Sequence, residues 1–441
     1  MNSPPPAVEP KTEAAAPRPA FGEAVRFWLK LGFISFGGPT GQIALMYREV
    51  VEKRRWVEEP HFLDALNFCM LLPGPEAQQL ATYLGWLLHR ARGALVAGVL
   101  FVLPAAVLLW GLSWMYMVYG QVAWLAAVFR GLQACVLAIV AAALLRIGRR
   151  VLRSAFHWTV AVAAFLALQF LGAPFPLLIA TVALVSWLAG RWRPRWFISK
   201  RAEETATPRQ SRAAEPRRSG RFFRVLILGL GVWWTPLLLA GLVLGWRSVW
   251  WQEGVFFSQA ALVTFGGAYA VLPYVAQQAV AHFGWLTLPQ MMSGLALAET
   301  TPGPLIIVLE FVGFVGAWQN PGRLSPWVAG TLGAAVTVWA IFAPSILFIF
   351  LGAPEVERLR RRPALQAALS GVTAAVVGVI FNLGVWFAWH ALWPNAGGFD
   401  YFAAAVAGLA FAALQWGQWE LGWVVAFGAV AGLAGHAWAG W

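Results

Sequence analysis

The sequence predicts an all-α polytopic membrane protein, made of two inverted-topology repeats with broken or re-entrant helices. Three observations predict it. Of the 441 residues, 60% are hydrophobic and 12% charged, with a mean hydropathy of +0.65. A soluble chain of this length keeps a charged surface; here apolar stretches repeatedly exceed the roughly 20 residues that cross a bilayer. A set of Gly, Pro and Trp motifs occurs twice, and the basic loops of one half fall where the other half is uncharged.

Sliding the sequence against itself by 229 positions places Phe36-Gly37-Gly38 on Phe265-Gly266-Gly267 and Trp56 on Trp285. Pro60 falls on Pro289, and Pro73-Gly74-Pro75 on Pro302-Gly303-Pro304. The alignment has no gap from 27 to 75. Scattered aliphatic residues match by chance; Gly-Gly, Trp and Pro-Gly-Pro at fixed distances do not, so each half is one structural unit.

In chain order, residues 1–20 are rich in Pro, Ala and charge, without an apolar core. They read as a disordered cytoplasmic tail rather than a signal peptide. Residues 21–190 form the first membrane repeat, 191–224 a basic cytoplasmic linker, and 225–441 the second repeat. Lys and Arg mark the cytoplasmic side of membrane proteins. Arg48, Lys53, Arg54 and Arg55 have Gln277, His282, Phe283 and Gly284 as counterparts. Arg358, Arg360, Arg361 and Arg362 oppose the uncharged turn Tyr119-Gly120-Gln121, and Arg146, Arg149, Arg150 and Arg153 oppose Pro394-Asn395-Ala396. The bias swaps sides, so the halves should lie in the bilayer with opposite orientations, the segment 223–246 crossing once between them.

The net charge of +13 follows these loops and the linker, which argues against nucleic acid as a partner. The lipid bilayer is the expected surroundings, in the inner (cytoplasmic) membrane. Cys69 and Cys135 stand apart in apolar segments with no Cys/His ligand spacing, so neither a disulfide framework nor a metal is expected. No GxGxxG, haem or GxxxxGK[ST] signature appears, so no cofactor and no enzyme activity is expected. The sequence leaves a homodimer open.

Gly37-Gly38-Pro39 interrupts the apolar segment 26–52, and Pro73-Gly74-Pro75 interrupts 61–90. Pro removes a backbone donor and clashes with the preceding turn, and Gly adds backbone freedom. Each flank is about 10–13 residues, which at about 1.5 Å per residue is half a bilayer. A full crossing by 26–52 would put Lys53-Arg54-Arg55 outside, so re-entrant hairpins are favoured over kinked spans. Half-helices that begin at midplane leave unpaired N–H groups there, with about half a positive charge at each N-terminus. Four such ends, near Thr40–Gln42, near Glu76, after Gly267 and after Pro304, would converge on a small compact anion.

At these residues the chain resembles the chromate ion transporter family, in its long, two-domain form. The resemblance rests on Ser35-Phe36-Gly37-Gly38-Pro39-Thr40-Gly41-Gln42-Ile43-Ala44, Glu52-Lys53-Arg54-Arg55-Trp56 and Leu71-Leu72-Pro73-Gly74-Pro75-Glu76-Ala77-Gln78-Gln79. Phe265-Gly266-Gly267, Trp285 and Thr301-Pro302-Gly303-Pro304 carry it in the second half, and it spans about 21–440. It implies export of chromate from the cytoplasm, with sulfate as a chemical look-alike; spacing implies only an anion carrier. Family members often have Ala-His where this chain has Gly41-Gln42, and Ala268 stands where the first repeat has Pro39.

The break residues Gly37, Gly38, Pro39, Gly41, Gln42, Pro73, Gly74, Pro75, Gly266, Gly267, Pro302, Gly303 and Pro304 are the expected anion site. Glu76 either caps a half-helix or exchanges a proton beside the anion, and Glu299 and Glu310 are the other intramembrane acids singled out. Gln78 and Gln79 can donate to oxyanion oxygens or join helices. Thr300 and Thr301 can donate likewise or bond back to their own helix. Arg130, within the apolar segment 122–145, either attracts the anion or reaches the outer interface. Trp56 and Trp285 are expected as interfacial anchors at the hairpin tips. The favoured function is proton-driven secondary transport; the alternatives are a carrier of sulfate or another oxyanion, or a passive channel of the same architecture.

Overall fold

The computed structural model describes residues 19–192, 219–353, 363–394 and 398–439. The tail 1–18, most of the basic linker, the Arg358–Arg362 loop and the Asn395-Ala396 turn lie outside the described residues. Among the described residues there are 16 helices and no strand. Seven helices are long and apolar enough to cross a membrane, so the chain is an all-α multi-pass membrane protein.

The first half runs α1 (Phe21–Ile34), α2 (Gly38–Tyr47), α3 (Glu59–Cys69), α4 (Glu76–Tyr119), α5 (Ala123–Val151), α6 (Ala155–Leu171) and α7 (Phe175–Trp192). Next comes α8 (Ser219–Leu244), which has no counterpart among the described residues. The second half repeats the series as α9 (Val249–Val263), α10 (Ala268–Gln277), α11 (Leu288–Thr300), α12 (Val308–Gln319), α13 (Pro326–Gly352), α14 (Pro363–Leu392), α15 (Tyr401–Gln415) and α16 (Leu421–Ala439). Both halves end their second helix in a π turn, Arg48–Lys53 and Gln278–His282.

The breaks fall where the Gly and Pro motifs stand. α1 stops at Ile34 and α2 starts at Gly38; α9 stops at Val263 and α10 starts at Ala268. The continuous α4 is two helices in hairpin: His89 and Arg90 leave helical geometry, and the chain folds back so that Gly85 lies against Gly93 and Thr82 against Gly98. Its counterpart makes this bend in a full turn between α12 and α13, again with glycines, Gly313 and Gly333, at the crossing.

Three contacts bring the ends of these segments to one level. Arg54 reaches Glu23 at 3.3 Å, Trp56 packs on Phe27 at 5.0 Å, and Phe21 packs on His89 at 5.4 Å. The chain therefore runs out along α1, back along α2, out along α3 and back along the first part of α4. The second part of α4 then runs alongside α1, with Gly32 against Leu100 and Pro104.

Trp56 and Trp285 are buried, 7% and 2% exposed, so the expectation of interfacial anchors is corrected. Each indole is held inside by rings: Trp56 by Phe27, with the Arg54 guanidinium 4.9 Å over it, and Trp285 by Phe283 stacked at 4.2 Å. Their backbone N–H groups donate to Val50 and Ala279 at 2.9 and 2.8 Å, which closes the two π turns alike.

The halves are interleaved. α6 and α7 of the first half pack on α14 of the second, and α15 and α16 of the second pack on α5 of the first. α5 also packs on α14, and α4 on α13, so the two halves share one core.

Candidate functional site

The four breaks meet through a reciprocal pair of hydrogen bonds. The Gly74 N–H donates to the Thr264 carbonyl at 2.7 Å, and the Gly303 N–H donates to the Ser35 carbonyl at 2.7 Å. Each Pro-Gly-Pro break of one half is thus tied to the residue before the Phe-Gly-Gly break of the other. Ser35 and Thr264 are fully buried, and their hydroxyls bond back to Leu31 and Ala260, each at 2.6 Å. The tie needs glycine. Gly74 and Gly303 adopt φ +123° and +106°, and a Cβ there would meet Ser345 and Ala105. Ala105 and Ser345 each follow a helix-interior proline, Pro104 and Pro344. The sequence reading missed this pair because these prolines stand 240 positions apart, outside the gapless alignment.

Three fully buried glutamines brace the first-half breaks. The Gln42 amide nitrogen donates to the Ser35 carbonyl at 3.2 Å and also to the Gly303 carbonyl. Gln79 donates to Pro73 at 2.6 Å, and Gln78 to the Thr82 hydroxyl at 3.2 Å. The carbonyl oxygens of all three side chains are buried without a protein partner. Such orphaned acceptors call for a donor, whether water or a protonated ligand group.

The helix ends around these breaks carry no side-chain cap. The N-cap residues are Gly37 for α2, Pro75 for α4, Gly267 for α10 and, in front of α12, Pro304 for the 3-10 turn Leu305–Ile307 that runs into it. Their first-turn N–H groups are the physical requirement for binding an anion. Glu76 occupies the first turn of α4 and makes no cap hydrogen bond; α2 has no acid in its first turn. An open groove of about 740 Å³ leads to that α2 end, running between α2 and α3 from Thr40 and Gly41 to Arg48, Glu52 and Glu59. Its counterpart in the second half is filled: Ala270, Leu272, Tyr274 and Met291 are buried. α5, α14 and α16 pack there, and Phe175 of α7 stacks on Tyr274 at 5.0 Å.

Other predicted residues find protein partners. Thr300 and Thr301 donate back to Leu297 and Ala298 at 2.6 and 2.8 Å. Glu299 accepts from the Tyr269 hydroxyl at 2.5 Å, across the α10–α11 hairpin. Arg130 pairs with Asp400 at 2.8 Å; Asp400 also caps α15. Glu310 is 2% exposed, with one carboxyl oxygen unpartnered. The sequence reading passed over Glu253, which is fully buried with both oxygens unpartnered. Its signal was there: one acid in the apolar run 249–263.

The chain is similar to known transport proteins along most of its length. A chromate transport protein of Cupriavidus metallidurans is 31% identical over 86% of this chain and 86% of its own length. One of Pseudomonas aeruginosa is 32% identical over 85% of this chain and 82% of its own, and a probable chromate transport protein of Synechococcus elongatus is 30% identical over 81% and 82%. No solved structure matches. The family described as chromate transporter matches residues 22–187 and again 251–433, two stretches that begin at the same offset as the duplicated motifs and contain the four breaks. On these grounds the chain belongs to the chromate transporter family.

Proposed function

We propose that this protein is a secondary active transporter that exports chromate across the cytoplasmic membrane, driven by the proton gradient. Family membership supports chromate as cargo. The observation that carries the site is the reciprocal pair Gly74–Thr264 and Gly303–Ser35, both at 2.7 Å, which gathers four uncapped helix ends. An oxyanion held there takes backbone N–H donors and helix-end charge, and protein walls replace lipid around the irregular backbone.

The halves are read as inverted repeats, with the N-terminus and the linker 191–224 cytoplasmic. The two hairpins of the first half then enter from the cytoplasm and those of the second half from outside. In this arrangement the open groove between α2 and α3 is the cytoplasmic approach, while the filled α10–α11 side is the closed outer gate. Alternation follows if the α5–α7 and α14–α16 bundle shifts from the second-half hairpins to the first-half hairpins. Glu76, beside the anion at the α4 end, repels the dianion while ionised and accepts it once protonated, so proton binding there is coupled to anion binding.

The test is uptake of labelled chromate and sulfate into proteoliposomes, with and without a pH gradient. Gradient-stimulated chromate flux is expected. Flux indifferent to the gradient would make the protein a passive channel, and preference for sulfate would move the substrate. Full pH-dependent transport by Glu76→Gln would remove Glu76 from coupling.

A further inference from the structure

The second half contains a polar line that the first half lacks. α12 and α13 cross at glycines, with Gly313 beside Thr337 and Gly333 beside the Gly313 carbonyl. The Glu253 carboxyl of α9 is wedged into this crossing. A Cβ at Gly316 would stand 2.9 Å from its Oε1, and one at Gly333 would stand 3.0 Å from its Oε2. Glu253 and Thr337 are fully buried, Glu310 is 2% exposed, and each has a side-chain oxygen without a partner. Along α12 the three follow one another: Glu310 itself, Thr337 at the level of Gly313, and Glu253 at the level of Gly316. The six steps from Glu310 to Gly316 rise about 9 Å.

The first half builds the same crossing without this chemistry. Gly85 lies against Gly93 and faces Ala97, where Gly313 faces Thr337. Ala24 stands where the second half has Glu253. Conversely, the buried glutamines Gln42, Gln78 and Gln79 of the first half have Val271, Ile307 and Val308 at the same offset. Fully buried glutamines cluster in one half, and the acids with buried unpartnered oxygens, Glu253 and Glu310, in the other.

We propose that the two halves divide the work: the first-half breaks hold the anion, and Glu253, Thr337 and Glu310 form a proton path through the second half. This rests on the proton coupling proposed above. An unpaired carboxylate at this depth is strongly disfavoured, so both acids rest in the neutral form and ionise only in passing. Little else charged faces them. Of the elements packed on α9, α8 has Arg221 and Arg224 in its first two turns, α10 has Tyr269 and Tyr274, α12 has Glu310, and α13 has none. His282, Arg247 and Arg323 lie in the flanking turns. α12 also meets α4, whose Tyr116 packs on Phe311 at 5.3 Å and which bears Glu76, and α11, which bears Glu299.

In the transfer, a protonated Glu253 gives its proton to the Thr337 hydroxyl while that hydroxyl passes its own to an ionised Glu310. Charge and protons balance with no other reactant. None of the three is hydrogen-bonded to another, so the hop requires water between them or sliding of α9 across the glycine crossing. Either one links proton movement to a change in helix packing.

The experiment compares wild type, Glu253→Gln, Glu310→Gln and Thr337→Val in proteoliposomes. It reads chromate flux with a pH gradient, gradient-free chromate exchange, and internal pH from a trapped dye. Both Gln variants should lose gradient stimulation and proton flux yet keep exchange, and Thr337→Val should slow proton flux. Gradient stimulation in wild type that persists in both Gln variants overturns the path and leaves coupling standing. Absence of stimulation in wild type overturns coupling and the path with it. Loss of exchange together with stimulation makes the acids structural and overturns the path. Infrared spectra provide a check without transport: wild type should show a protonated-carboxyl C=O band that Glu253→Gln removes, and an unchanged band overturns the assignment.

Discussion

Replacing Gly303 by Ala tests the central tie directly. The Gly303 N–H donates to Ser35 at 2.7 Å, its φ is +106°, and an added Cβ would stand 2.5 Å from the Ala105 Cβ. Holding a residue with a Cβ in that backbone region costs about 1–3 kcal/mol. Forcing a methyl into the packed crossing with α4 adds about 1–3 kcal/mol, so Gly303→Ala should destabilise by about 2–6 kcal/mol in all. Gly172→Ala is the control, because Gly172 also has positive φ, +58°, but nothing within 4 Å of its Cβ position; it should cost about 1–2 kcal/mol. The assay is thermal unfolding in detergent, followed by Trp fluorescence, with chromate flux beside it. Combining Gly303→Ala with Ala105→Gly removes the clash but not the backbone strain, so about 1–3 kcal/mol should return relative to additivity. If Gly303→Ala behaves like Gly172→Ala, and Ala105→Gly rescues nothing, the close crossing of breaks is refuted.

Other predictions follow from the same geometry. Gln42→Leu removes the amide shared by the Ser35 and Gly303 carbonyls and should cost about 1–3 kcal/mol, with chromate flux falling in a variant that still folds; unchanged flux and melting would dismiss the brace. Arg130→Ala and Asp400→Ala, measured singly and together, should show a coupling of about 0.2–1 kcal/mol, since the Arg130 side chain is 40% exposed. Loss of chromate binding in Arg130→Ala but not in Asp400→Ala would return Arg130 to the anion site. Cysteines placed at Glu52 and Ala281, equivalent exposed positions in the two π turns, should react with a membrane-impermeant maleimide from opposite faces. The native Cys69 and Cys135 are buried and should stay silent; labelling of both loops from one face would end the inverted-repeat reading.

Much of this protein was legible in its sequence because its signals are local. A Pro-Gly-Pro run breaks a helix wherever it stands, so the breaks at Gly37-Gly38 and Pro73-Gly74-Pro75 could be placed to within a few residues, α2 starting at Gly38 rather than near Thr40–Gln42, and a repeated spacing needs no coordinates. What side chains do after the chain folds is not local. Trp56 has the composition of an interfacial anchor, but Phe27 and Arg54 enclose it. Thr300 and Thr301 look like anion donors, but their nearest acceptors are carbonyls of their own helix. Arg130 looks unpaired until Asp400, 270 residues later, arrives beside it.

By itself, then, the sequence determined the membrane environment, the duplication and the four places where helices stop, because hydropathy, Gly and Pro act through solvent and local sterics. Only the tertiary structure decided which breaks touch. It crossed Gly74 with Thr264 and Gly303 with Ser35, opened the groove beside α2 while filling its counterpart, and left Glu253 without a partner. Those outcomes depend on how helices distant in the chain approach one another, which backbone freedom and side-chain volume at the crossings settle and no single segment encodes.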